Sequence, residues 1–217
     1  MKALRWQIAA AALASALGLT GFILQRQLIR QQEASAPLPD YGSVPAFVLA
    51  DQTGGVLGAS QLRGTVWVAG FIFTRCAGQC PMIISRMKAV AGGINGVQMV
   101  VFSMDPKHDT PQTLLAYAKD NDLNKPNWHW LTELPPGTAS HLDCQPQAGC
   151  IASPRQLSQE GFRLSAADGG PPEEPITHST RLVLVDAQLR IRGYYDANDR
   201  QDMKRLKQHA AVLARRQ

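Results

Sequence analysis

No stretch of this sequence interleaves basic residues with aromatic ones, which argues against a nucleic-acid partner. Internal repeats and low-complexity tracts are absent as well. Charge is sparse, at 18% of residues against 45% hydrophobic, the balance of an ordinary globular domain. Acidic surplus is also lacking: the formal net charge is +5. Much of that positive charge sits between Asp199 and Gln217, where six Lys/Arg face two Asp. A solvated helix face accounts for such a run, and attraction to anionic lipid is the other reading.

One long apolar run is present. Trp6 to Leu24 (WQIAAAALASALGLTGFIL) carries no charge over nineteen residues. As a helix it would span about 28 Å, close to the hydrocarbon thickness of a bilayer. Lys2 and Arg5 precede it and Arg26 and Arg30 follow, so the positive-inside rule does not fix its orientation. The rival reading is a cleaved signal peptide. Ala14-Ser15-Ala16 is an A-x-A triplet inside the apolar run, and Ala34-Ser35-Ala36 lies well beyond it; neither suits cleavage. We therefore expect a membrane anchor over residues 1–27, a Pro-containing linker over 28–45 and one domain over 46–217.

Within that domain Phe47–Leu49 and Val56–Leu57 read as a strand and its return. Val66–Phe73 (VWVAGFIF) and Val97–Met104 (VQMVVFSM) read as strands buried on both faces. A helix begins at Pro81, with Ile83, Met87, Val90 and Ile94 on one face and Gly92, Gly93 and Gly96 at its end. Asp109 or Thr110 caps a second helix reaching Asn121. Trp128–Thr132 is a short strand, and Leu134–Pro175 a long connection with one short helix. Arg181–Val185 and Arg190–Tyr195 form a hairpin, and a final helix from Arg200 turns Met203, Leu206, Ala210 and Leu213 inward. Alternating strands and helices argue for an α/β layer structure. A closing hairpin and helix, with the first helix starting at a cysteine, is the thioredoxin-like pattern.

The most informative stretch is Phe73-Thr74-Arg75-Cys76-Ala77-Gly78-Gln79-Cys80-Pro81. Two thiols lie four positions apart where a buried strand meets a helix. The partial positive charge of the helix N-terminus favours thiolate at Cys80. Paired thiolates suit soft ions such as Cu(I), Zn(II) or an iron–sulfur cluster. The spacing is C-x3-C, whereas the usual dithiol redox motif is C-x2-C. Metal binding, thiol exchange and a structural disulfide all stay open on these residues. His178, just before the Arg181–Val185 strand, would face the cysteine loop in a thioredoxin-like layer.

Four segments together resemble a known family. Phe-Thr-x-Cys-x-x-x-Cys-Pro at 73–81, the run Ser103-Met104-Asp105-Pro106-Lys107-His108-Asp109-Thr110-Pro111, Trp130-Leu131-Thr132, and His178-Ser179 ahead of a strand ending in Val185-Asp186 look like the Sco/SenC proteins. These are membrane-anchored, thioredoxin-like copper chaperones of cytochrome c oxidase assembly. The resemblance covers roughly residues 44 to 215. It implies that Cys76, Cys80 and His178 are ligands for Cu(I) or Cu(II). It also implies delivery to the CuA site of oxidase subunit II, or to another cuproprotein. The expected placement is a single-pass anchor in the cell inner membrane with the C-terminal domain in the periplasm. The chain would be a metallochaperone rather than an enzyme. The alternative is an extracytoplasmic thiol–disulfide oxidoreductase in which Cys76 attacks and Cys80 resolves.

The sequence departs from the family pattern in two places. Ala77 stands where the family usually has Pro, and the segment Cys144-Gln-Pro-Gln-Ala-Gly-Cys150 is an addition. Cys144 and Cys150 read as a local disulfide, as an accessory copper site with His141, or as a resolving pair for Cys76 and Cys80. Asp105 and Asp109 read either as turn and cap residues or as groups supporting the metal ligands from behind. His108, His129 and His209 are expected to be structural or solvated, and Met82 and Met104 to fill the core.

Overall fold

The computed structural model describes residues 18–22, 24–26, 37–138, 149–169 and 176–216, in two compact units that divide between Pro37 and Leu38. In the N-terminal unit residues 18–22 and 24–26 are helical. Leu19, Phe22 and Leu24 are exposed, and the Arg26 guanidinium lies 4.7 Å from the Phe22 ring centroid. Among the described residues no helix is long and apolar enough to cross a membrane. Most of the expected span, residues 6–24, lies outside them.

The second unit is built on a seven-stranded sheet. Its strands are β1 (Val48–Asp51), β2 (Val56–Gly58), β3 (Val66–Ile72), β4 (Val97–Ser103), β5 (Trp128–Thr132), β8 (Arg181–Val185) and β9 (Ile191–Asp196), in the order β2-β1-β5-β4-β3-β8-β9. β3, β4 and β5 run parallel, as expected for near-continuous apolar runs buried on both faces. β8 returns antiparallel beside β3, with Ala69 opposite Val183 and Trp67 opposite Val185. This register sets the start of β8 next to the end of β3, where the cysteine loop begins.

Helices α1 (Cys80–Ala91), α2 (Pro111–Asp120) and α3 (Arg200–Ala214) supply the second layer. α1 sits close on β3 because residue 70 is glycine: a Cβ there would come within 2.6 Å of the Met87 sulfur. Thr110 caps α2 by accepting from the Thr113 N–H, and Pro111 follows at the first helical position. Asp109 is thereby left for another task. On the other face Trp67, Phe71, Phe102, Phe47 and Phe162 form an aromatic cluster, with Phe71 and Phe102 stacked at 5.0 Å. Burying each of these side chains contributes about 2–3 kcal/mol. Phe162 follows a helical turn, Pro154–Gln156, that runs into a π-turn, Leu157–Gly161.

Two features lie beyond what the pattern reading anticipates. The connection read as a loop with one short helix also contains β6 (Ala166–Asp168), paired antiparallel with β7 (Ile176–His178) in a sheet of its own. The end of the expected linker belongs to the compact unit: the Tyr41 N–H donates to Ile191, the Ile191 N–H to Gly42 and the Val44 N–H to Leu189.

Candidate metal centre

The site lies where β3 ends and α1 begins, the edge of a parallel sheet at which α/β proteins place ligands. After Ile72 the chain makes a tight turn, with the Cys76 N–H donating to the Phe73 carbonyl at 3.2 Å. Cys80 is the first residue of α1, with Pro81 behind it. Neither Cys76 nor Cys80 is in a disulfide, and both are buried, at 9% and 1% exposure.

His178 arrives from the end of β7, and its ring packs edge-on against Phe73 at 5.8 Å. Its Nε2 lies 3.4 Å from the Cys80 sulfur, although the residues are 98 apart in sequence. On the other side Nδ1 is 3.1 Å from the Ser179 carbonyl oxygen. A carbonyl only accepts, so Nδ1 carries the proton in the neutral ring and Nε2 presents its lone pair to the sulfur. This tautomer is the one a metal needs at Nε2.

Metal–sulfur and metal–nitrogen bonds of about 2.3 and about 2.0 Å together exceed the 3.4 Å between Cys80 and His178, so one ion can touch both donors. Both sulfurs belong to the apolar core, where a reduced thiol packs as a small hydrophobe. Among the described residues no group of three or more His, Cys, Asp or Glu stands ready to hold a metal. The structure brings Cys80 and His178 together, and Cys76 lies four residues before Cys80 in the same loop.

Asp105 and Asp109 hold the loop ahead of Cys76. Asp109 is fully buried. It accepts from the Thr74 N–H at 3.0 Å, from the Thr74 hydroxyl, and from the Ser103 hydroxyl at 2.6 Å. Asp105 pairs with the Arg75 Nε at 2.7 Å, and its own N–H donates to Ser103. The two residues immediately before Cys76 are thus clamped by carboxylates from the β4–α2 loop.

Tyr117 was not legible as a site residue. It stands on α2 against Trp130, ring centroids 5.4 Å apart. Burial pushes its hydroxyl above the usual phenol range, and the negative charges of Cys80, Cys76 and Asp109 add to the shift. The site therefore has an aromatic hydroxyl within electrostatic reach of both thiols.

The remaining candidates take other places. Met104 is fully buried and Met82 packs partly buried against the core. His108 is exposed. His129 lies on β5, where burial lowers its pKa, and His209 is bonded to Tyr195 at 2.7 Å. Cys150 is disulfide-bonded. Cys144 and His141 lie outside the described residues.

Comparison with known proteins bears on the family and the fold. The SCO1/SenC family profile matches residues 37–126. The SCO1 protein homolog of Bacillus subtilis (strain 168) is 30% identical over 135 residues, 58% of this chain and 69% of the relative. Among solved structures, BsSco, described as a member of the Sco family of cytochrome c oxidase assembly proteins, has a TM-score of 0.63 at 22% identity. The match covers 83% of this chain and 98% of that one. Arabidopsis thaliana ScoI with copper bound has a TM-score of 0.60 at 20% identity, over 81% of this chain and 100% of that one. These structures share the thioredoxin-like α/β fold with this chain. With its profile match and that extent of shared sequence, the chain belongs to the SCO1/SenC family.

Proposed function

We propose that this protein is a membrane-anchored copper metallochaperone whose Cys76, Cys80 and His178 take up copper and pass it to a cuproprotein, the CuA site of cytochrome c oxidase subunit II in the first instance. The observation that carries the reading is the approach of His178 Nε2, lone pair inward, to within 3.4 Å of the Cys80 sulfur. Two thiolates and one imidazole form a soft, low-coordinate donor set suited to copper. Copper bound to Arabidopsis thaliana ScoI and the description of BsSco as an oxidase assembly protein support the same cargo and destination.

Incomplete assembly suits a carrier. Cys80 and His178 offer a first hold, and Cys76 joins when its loop moves. A cargo ion gripped by few ligands on a loop leaves by exchanging them one at a time with the acceptor's. Asp109 and Asp105 hold residues 74 and 75, so the movement is confined to 76–79.

The uncharged run from Trp6 to Leu24 supports a single-pass anchor. The disulfide at Cys150 supports an oxidising compartment, hence a domain in the periplasm. We take Cys144 as its partner, in a structural role.

The second reading is thiol–disulfide exchange, favoured by the reduced Cys76 and Cys80. One thiolate would attack a substrate disulfide, releasing one substrate thiolate. The other would resolve the mixed disulfide and release the second. Two electrons pass to the substrate and a Cys76–Cys80 disulfide remains.

The test titrates the reduced full chain with Cu(I) against a competing chelator. One ion is expected per chain, with retention lost in Cys80→Ala and His178→Ala. Unchanged stoichiometry in both variants would remove the copper site. Reduction of a disulfide substrate that proceeds equally well in His178→Ala would favour the second reading.

A further inference from the structure

We propose that the end of the sheet opposite Cys80 and His178 is a docking surface for an anionic phospholipid bilayer. Three separate elements meet there. The 3-10 turn Ala59–Leu62 ends at Arg63, and the Gly64 N–H then donates to Ala187 in the β8–β9 turn at 2.9 Å. The last turn of α3 closes the group. Gly64, Asp186, Arg192, Leu213 and Arg216 line a shallow cavity of about 400 Å³ between them.

The charge there is arginine, with its acid already committed. Asp40 pairs with Arg190, and Asp186 with Arg192. Arg63, Arg215 and Arg216 are exposed, and no carboxylate among the described residues pairs with them. The negative end of the α3 dipole explains a preference for cations at Arg215 and Arg216. It does not explain Arg63, which comes from another element. Arg63 and Arg215 are the chain neighbours of the lining residues Gly64 and Arg216, and guanidinium groups recognise phosphate by paired hydrogen bonds.

The path of the chain selects the bilayer as the source of phosphate. Residues 41–44 are bonded along β9 and its turn at this same end, so the chain of this compact unit begins here. The inference rests on the membrane-anchored reading for that proximity. Its consequence is orientation. β3, seven residues long, would hold the thiols roughly 23 Å above the lipid, facing a partner rather than the headgroups.

The experiment places the full chain in nanodiscs of phosphatidylcholine alone or with phosphatidylglycerol at about 3:1 and follows amide hydrogen exchange. Residues 62–66 and 186–190 should exchange more slowly over phosphatidylglycerol, with 74–80 unaffected. The protection should vanish in Arg63→Gln/Arg215→Gln/Arg216→Gln and at high salt. Equal exchange in the two lipids overturns the proposal. So does protection that survives the triple variant, or is removed equally by Lys107→Gln/Arg163→Gln. A chain that does not enter discs refutes anchoring instead. The surface is then judged by cosedimentation with phosphatidylglycerol vesicles, where the triple variant should bind about tenfold more weakly or worse. Undiminished binding there overturns it.

Discussion

At the end of the sheet that carries Cys80 and His178, the loop is held by side chains. Asp109 gathers Thr74 and Ser103, and Asp105 gathers Arg75. At the opposite end the chain is held mainly by its backbone, through Tyr41, Gly42 and Val44 on β9 and its turn, with the Asp40–Arg190 pair outside. The difference follows from what each end has to do. Backbone pairing fixes a segment along its length. Side-chain clamps fix chosen points and leave the residues beyond them, here Cys76 to Gln79, able to rearrange around cargo. It also follows that damage to one end should be concentrated and damage to the other dispersed.

The largest effect is expected from Asp109→Ala. It removes one acceptor from a fully buried site and strands three donors there. Orphaned buried donors cost about 1–3 kcal/mol each, less where water or relaxation reaches them, so a loss of about 2–4 kcal/mol is expected in chemical denaturation. Asp109→Asn keeps the shape and one acceptor and should lose less. Copper retention should fall in both, because Thr74 no longer fixes the approach to Cys76. Asp109→Ala with unchanged stability would mean that the loop is held by its own backbone, like the opposite end, and the contrast would collapse.

Much of this was legible in the sequence, and the parts that were not share a cause. The strand-to-helix cysteine junction and the inward face of α3 follow from local periodicity, which one segment carries alone. Asp109 and Thr110 are equally good caps by composition. What decides between them is Thr74, 35 residues away, which claims the aspartate. β6 and β7 are three residues each and carry no alternating run, so nothing local marks them. Residues 37–45 have the Pro and Gly of a linker. Their partners on β9 lie some 150 positions on, as Asp40 and Arg190 do. His178 lies beside Cys80 across 98 positions, a pairing that fold placement suggests and composition does not contain.

A middle-sized effect comes from pH at the seam between β9 and α3. The Tyr195 hydroxyl and His209 Nδ1 are 2.7 Å apart, and burial, with Arg205 nearby, holds the His209 pKa below its ordinary 6.5. A histidine whose folded pKa is depressed contributes stability that is full above the unfolded value and is lost as pH falls through the folded one. Half-buried His129 acts in the same direction. The denaturation midpoint should therefore fall between about pH 7 and about pH 5, and His209→Gln should flatten that slope. A slope unchanged in His209→Gln would assign the loss to His129 or to other groups.

The smallest effect, and the sharpest test of the contrast, is Asp40→Ala. Asp40 is exposed, and its pKa is held below the ordinary 3.8 first by its hydrogen bond with Arg190 and then by the Gly42 N–H. The sign matches a carboxylate that stabilises when ionised: its contribution is present above the unfolded value and lost only as pH falls below it. Acid should therefore loosen the β9–α3 seam well before it reaches this strap. If backbone pairing carries the strap, Asp40→Ala will leave the denaturation midpoint within error, as surface ion pairs usually do. Only local amide exchange at Tyr41 and Val44 will quicken. A cooperative loss of stability in Asp40→Ala would show instead that one side chain pins this end, as Asp109 pins the other, and that both ends of the sheet are fastened by the same means.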